Sequence, residues 1–427
     1  MTNILLFLFA LVISVVWGYL FRVNIGIVAM VASYILTLFF GISSGALVLL
    51  WPTKLFLTIL AVGLFYSFSS SNGAIEKLAQ YLIYLFRKIP AGIPIVLFLV
   101  TALIAGSGGG PYVSTVVMAP IIIGICRKTN MKPLLGALAL TFAGSFASLS
   151  GISLVGLLVK SLIEKTVYAD NASILQNQIF INATIFYVLA FLVFYFILGG
   201  YKVKSVSIEK PDKFTKDQRN SLIVVASIII LYLLPTILNL LIPNNLIITL
   251  IKSKQDFLFF ALIGTVIGFM MKFDNEKEIF SKISWSTLLM ISGIGMLVAV
   301  GEYAGIIEQI SEIIALNVSS KFIPQMIAVA SGILSYVSDG PAVVYPTLYP
   351  LIAKIADITG AEPGILFSAI SIGDSTTVMS PFSTGGAMIL AFIADPKERN
   401  SLFVQLLIAP FVILAMLLLA ISLGIFI

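Results

Sequence analysis

The chain has no histidine, a single cysteine and only 10% charged residues over 427 positions. The lack of histidine excludes His-based acid–base catalysis and His-ligated zinc or haem. One thiol, Cys126, excludes an intramolecular disulfide and a Cys-cluster metal site. Soluble domains carry about 25% charged residues. A chain this poor in charge does not solvate the surface of a globule, which excludes a soluble enzyme and a nucleic-acid binder. No basic n-region precedes the first apolar run, so a signal peptide is not expected.

What is present is apolar: 59% hydrophobic residues and a mean hydropathy of +1.11. A hydrocarbon core of about 30 Å needs about 20 apolar residues per helix. Spans are expected near 3–21, 23–42, 53–71, 133–160, 180–200, 221–242, 256–272, 285–302, 362–394 and 401–426. Segments 72–88 and 303–320 read as interfacial amphipathic helices. Two apolar stretches are interrupted. Residues 89–126 carry no charge but are broken by Gly106, Gly108, Gly109, Gly110 and Pro111. Each half is short for a full crossing, and basic flanks on both sides predict a re-entrant hairpin. The second, 322–353, is broken at Ser338-Asp339-Gly340-Pro341.

The basic stretch 201–220 reads as a cytoplasmic linker between two halves. Counting spans from it puts 18 of the 25 Lys and Arg on the cytoplasmic side and both termini outside. Sliding the chain along itself by one fixed offset aligns Gly110-Pro111 with Gly340-Pro341, Pro120 with Pro350 and Pro133 with Pro363. The same offset sets Ser145, Ser150, Ser153 and Gly156 on Ser375, Ser380, Ser383 and Gly386. An odd number of spans separates the hairpins, so the repeats are expected to be inverted. The fold class is therefore an all-α polytopic membrane protein with two re-entrant hairpins and two broken helices. The first repeat is 1–200, with scaffold 1–88 and hairpin plus broken helix 89–160. The second is 221–427, with scaffold 221–320, hairpin plus broken helix 321–394 and last helix 401–426.

Each hairpin is followed by an apolar segment with a polar interruption, at 144–153 and 373–386. Backbone that leaves a helix inside a membrane must line a cavity or be buried in protein. It exposes carbonyls and hydroxyls that suit a hard cation, and helix N-termini that suit an anion. An anion is expected at Gly110, Pro111, Ser150, Ser153, Gly340, Pro341, Ser380, Ser383 and Thr384. A coupling cation, Na⁺ or H⁺, is expected among Ser107, Gly108, Gly144, Ser145, Ser148, Ser335, Ser338, Asp339, Asp374, Ser375, Thr376 and Thr377. Asp339 and Asp374 are the acids well inside these segments, where carboxylates are costly and mark function. No Lys or Arg lies in a hairpin or break, so helix dipoles and hydroxyls are expected to hold the anion. Small residues that merely let helices pack are the competing reading for each position taken alone.

These residues resemble the ion transporter superfamily, above all its malonate/dicarboxylate carriers and then its divalent anion:sodium symporters. The resemblance rests on Asn72-Gly73, Gly106-x-Gly-x-Gly-Pro-x-Val, Ala119-Pro120-Ile121, Ser150-Gly-Ile-Ser-Leu-Val-Gly156 and Met379-Ser-Pro381-Phe-Ser-Thr384. It implies an elevator mechanism and a homodimer formed by the scaffold. Gly110-Pro111-Tyr112 and Gly340-Pro341-Ala342 stand where the symporters carry Ser-Asn-Thr tips, so the amide and hydroxyl contacts of that motif are missing. The expected function is cation-coupled symport of a small organic anion, a di- or tricarboxylate, across the cell's inner (plasma) membrane. Partners are the substrate and the bilayer, with no cofactor. A Na⁺/H⁺ antiporter or inorganic-anion exporter of the same superfamily is the alternative. An enzyme is not expected: Ser371-Ile-Gly-Asp374 lacks the first glycine of the Gly-x-Gly-Asp motif of membrane aspartyl proteases.

Overall fold

The computed structural model describes residues 2–85, 88–204, 210–242, 245–253, 257–283, 285–336, 340–381, 383–393 and 395–427. Among these residues all regular structure is helical. Among the described residues, five helices are long and apolar enough to cross a membrane, or up to seven spans if each bent pair counts as one. Helices occupy the expected spans at Thr2–Phe21, Ile25–Phe40, Thr53–Ser71, Phe257–Met270 and Trp285–Tyr303, but none is among those five: the first four hold shorter apolar stretches, and Leu288–Tyr303 is long enough only together with Ile306–Asn317, across a 78° bend. The span expected at 180–200 is longer: the helix starts at Ala172, because Gln176 and Asn182 are paired inside the protein and Gln178 bonds Glu362 at its surface. The arms of the first hairpin are also longer than expected. Pro90–Gly108 and Gly110–Lys128 each run 19 residues, enough by length alone to cross a membrane.

Elements of the first half recur in the second at the offset of the sequence repeat or close to it. Thr53–Ser71 corresponds to Trp285–Tyr303, and Ala74–Leu85 to Ile306–Asn317. Ile93–Ile104 corresponds to Ile323–Tyr336, Pro133–Ala147 to Pro363–Ser375, and Leu154–Ile163 to Thr384–Ala391. Contacts recur in exchanged form. Ile25–Phe40 packs on Trp285–Tyr303, while Phe257–Met270 packs on Thr53–Ser71. Gly110–Lys128 packs on Thr384–Ala391, while Tyr345–Thr359 packs on Leu154–Ile163. At the first of these crossings the backbones of Gly26 and Gly293 touch, and a Cβ on Gly293 would overlap the Gly26 carbonyl. Small residues allow such approach, which is where helices in lipid gain their packing.

Two groups of helices result. Both arms of the first hairpin pack on Pro133–Ala147, and both arms of the second on Pro363–Ser375. The arms of the second, Ser320–Tyr336 and Gly340–Thr359, meet at 117°. The long helix Ala172–Ile197 packs against both Pro133–Ala147 and Pro363–Ser375, joining the two hairpin assemblies into one body. Thr53–Ser71 and Trp285–Tyr303 pack on the hairpins and broken helices, and Phe257–Met270 and Ile25–Phe40 pack on them in turn.

Candidate functional site

The first hairpin turns through a π turn, Ala105–Gly109, in which Gly108 takes φ +116° and ψ −15°. Only glycine adopts that conformation without strain. A π turn misaligns backbone donors and acceptors, and the break opposite supplies partners for it. Pro133–Ala147 ends there, and Ser150 Oγ donates to the Gly106 carbonyl (2.7 Å) and Ser153 Oγ to the Ala105 carbonyl (3.0 Å). The helix resumes at Leu154. In the second break Ser383 caps Thr384–Ala391 by accepting from Gly386 N (3.2 Å). The two breaks share a local geometry: Gly156 abuts the Ser150 carbonyl and Gly386 the Ser380 carbonyl, with no room for a Cβ at either.

Asp374 lies at the end of Pro363–Ser375 and is 1% exposed. Its carboxylate presses on Gly340, where a Cβ would overlap it. Three fully buried tyrosines surround it. The Tyr345 hydroxyl interacts with the Asp374 and Ser375 side chains. Tyr349 pairs with Ser371 Oγ (2.7 Å), and Tyr187 donates to the Ile372 carbonyl (3.2 Å) with Ser145 and Ser375 beside it. Ser145 and Ser375, equivalent positions of the two halves, thus meet at one phenol.

Several expected cation residues hold their protons on the local backbone. Ser148 Oγ donates to Ser145 O (2.9 Å), Ser375 Oγ to Ser371 O (2.9 Å), Thr376 Oγ1 to Gly373 O (2.7 Å) and Thr377 Oγ1 to Asp374 O (2.9 Å). A hydroxyl whose proton is so engaged keeps its lone pairs, the atoms a hard cation needs. Ser335 is buried in the arm packed on Pro363–Ser375, Gly144 faces Ser114 and Pro111, and Ser107 bonds to its own turn at Ile104 O (3.3 Å). Ser338 and Asp339 lie outside the described residues.

A narrow cavity, open at its mouth, lies between the first hairpin and the surrounding helices. Gly108, Gly110, Pro111 and Pro341 line it, so the equivalent prolines of the two hairpins face the same space. Of the expected anion residues, Ser150, Ser153, Ser380 and Ser383 are not among its described lining; the first two brace the tip instead. Three helix starts face it: Pro111, Leu154 and Pro341. The prolines carry no N–H, so the first-turn donors along the cavity are those of Tyr112, Val113, Leu154 and Val155, and such ends are favourable for an anion.

Sequence reasoning missed Tyr66, Tyr187, Tyr345, Tyr349 and Lys282. A usable signal existed for the tyrosines. Phenols in membrane proteins collect at the interface, so Tyr345 and Tyr349, one turn apart in the middle of a hairpin, require internal partners.

Residues 1–148 match the family model of the dicarboxylate carrier protein MatC N-terminus. About the first third of the chain therefore bears out the resemblance to dicarboxylate carriers. Among solved structures, the Alcanivorax borkumensis YdaH transporter superposes with a TM-score of 0.60 at 16% identity, over 89% of this chain and 86% of that one. No curated protein sequence matches the chain. The family match and the shared fold are those of a transporter, not of an enzyme, and the molecule is a multi-pass membrane protein.

Proposed function

We propose that this chain is a secondary active transporter carrying a small organic anion, of di- or tricarboxylate class, together with Na⁺ or H⁺. In this reading the halves are inverted repeats, and the hairpins and broken helices move as one body past a scaffold that dimerises. The observation that carries it is the convergence of Pro111, Leu154 and Pro341, three helix starts, on one cavity. Positive helix ends on a shared space suit an anion in a site whose hairpins contain no Lys or Arg. Basic flanks on both sides of 89–126 support re-entry from the cytoplasmic face, although each arm is long enough to cross. The match of residues 1–148 supports a dicarboxylate as the anion.

The coupling cation fits the second break, where Asp374 stands among Ser375, Thr376, Thr377 and the Tyr345 phenol. The same cluster gives a second reading, Na⁺/H⁺ antiport, in which the ion itself is the cargo. A thermal-shift screen of di- and tricarboxylates in Na⁺ and then in K⁺ separates them. Bound anion stabilises the folded protein by mass action. A symporter gives a carboxylate-dependent shift that is larger in Na⁺ or at a different pH; an antiporter responds to the cation alone.

A further inference from the structure

The cavity at the hairpin tips has a second wall, built from helices outside the hairpins. Tyr66, Ser67 and Ser70 line it from Thr53–Ser71, and Lys282 from the segment before Trp285–Tyr303. Lys282 is the charged residue among the described lining, and it is exposed at the mouth. Glu76, on the amphipathic helix Ala74–Leu85, lies within electrostatic reach of it. Tyr66 lies at the inner end. It is 6% exposed, its ring fills the notch over Gly108, and its hydroxyl has no hydrogen-bond partner among the described residues. Buried hydroxyls are nearly always paired, so a phenol left open beside a helix start calls for an acceptor.

We infer that Lys282 and Tyr66 are substrate-contacting residues of the scaffold: the phenol donates to the anionic group held at the tips, and the ammonium attracts a second anionic group toward the mouth. This rests on the proposed function. The tips supply neutral dipoles, which bind one anionic group but discriminate weakly between one charge and two. A full positive charge across the cavity makes that distinction. Glu76 opposes it, because its carboxylate competes for the same ammonium. The hairpins move relative to the scaffold in an elevator cycle, so this contact forms only in the conformation described here.

Isothermal titration of the purified full chain tests this, with malonate, succinate and citrate as multivalent probes and propionate as the single-charge probe. Lys282→Gln is expected to weaken the tightest multivalent probe about tenfold, the effect of losing one charged hydrogen bond. Propionate binding is expected to change less than twofold. Lys282→Arg restores affinity, and Tyr66→Phe weakens all probes with an unchanged melting temperature. Raising the salt, which screens an exposed charge, weakens the parent more than Lys282→Gln. Glu76→Gln is expected to tighten multivalent binding, a gain that misfolding does not mimic. Parent-like multivalent affinity in Lys282→Gln, or in Glu76→Gln should the first variant not fold, overturns the inference while leaving anion transport standing. If the parent binds none of the four probes, both fall together.

Discussion

The carboxylate of Asp374 lies directly against the backbone of Gly340, so close that the glycine has no room for a side chain. One is the acid at the second break and the other opens the returning arm of the second hairpin. A shift of the Asp374 carboxylate therefore bears directly on Gly340.

Gly340→Ala inserts a methyl group into that contact. Overpacking of this kind costs about 1–3 kcal/mol. The expected outcome is a lower melting temperature together with loss of cation-dependent substrate binding. A variant with parent-like stability and binding shows that the contact is slack.

Asp374→Asn keeps the shape and removes the charge. The fold is expected to survive and the affinity for the coupling cation to fall at least about tenfold, since a carboxylate ligand or acceptor is worth far more than a neutral one. If Asp374 carries a proton instead, the variant loses pH-driven transport yet still exchanges bound substrate. Parent-like cation affinity and transport contradict both versions.

Glu76 gives a pH dependence outside the spanning helices. Burial pushes its carboxyl above the usual 4.5, against the pull of a backbone hydrogen bond and of Lys282. A carboxyl raised in the folded state favours folding below the unfolded pKa and loses that contribution as pH rises through the folded value. Glu76→Gln should therefore match the parent in melting temperature at pH 4 and exceed it at pH 8. An equal difference at both values rules out titration as the cause.

Lys54 and Glu164 form a 2.6 Å ion pair between Thr53–Ser71 and the end of the first broken helix. An exposed pair adds about 0–1 kcal/mol, so its value here is as a ruler. With Cys126, which is buried, replaced by alanine, Lys54→Cys and Glu164→Cys can be joined by a short bifunctional thiol reagent. Sliding of one body past the other predicts that the joined protein binds substrate but does not transport it. Full transport by the joined protein contradicts the elevator.

The all-helical membrane character and the places where helices break are legible in the sequence because breakers and hydropathy are local properties. Gly108-Gly-Gly-Pro111 and Gly373-Asp374 through Gly386 announce their interruptions by composition alone. What joins them is not local. Ser150 and Ser153 read as ligands in the sequence, yet their protons go to Gly106 and Ala105, far back along the chain. Tyr187 reads as one more aromatic in an apolar helix until the fold sets it between Ser145 and Ser375. Lys282 precedes a span and counts only as loop charge until the same fold brings it to the cavity mouth. The start of Ala172–Ile197 was hidden for a related reason: Gln176 and Asn182 are polar in composition but bonded to Leu149 and Ser368.

Uptake into proteoliposomes tests cation-coupled movement of a carboxylate most directly. Labelled malonate, succinate and citrate are supplied outside, with an inward gradient of Na⁺ or of H⁺ imposed separately. Coupled symport predicts transient accumulation above the external concentration under one gradient, abolished when that gradient is collapsed and absent in Asp374→Asn. Cation exchange with no carboxylate movement, or carboxylate entry indifferent to both gradients, contradicts it.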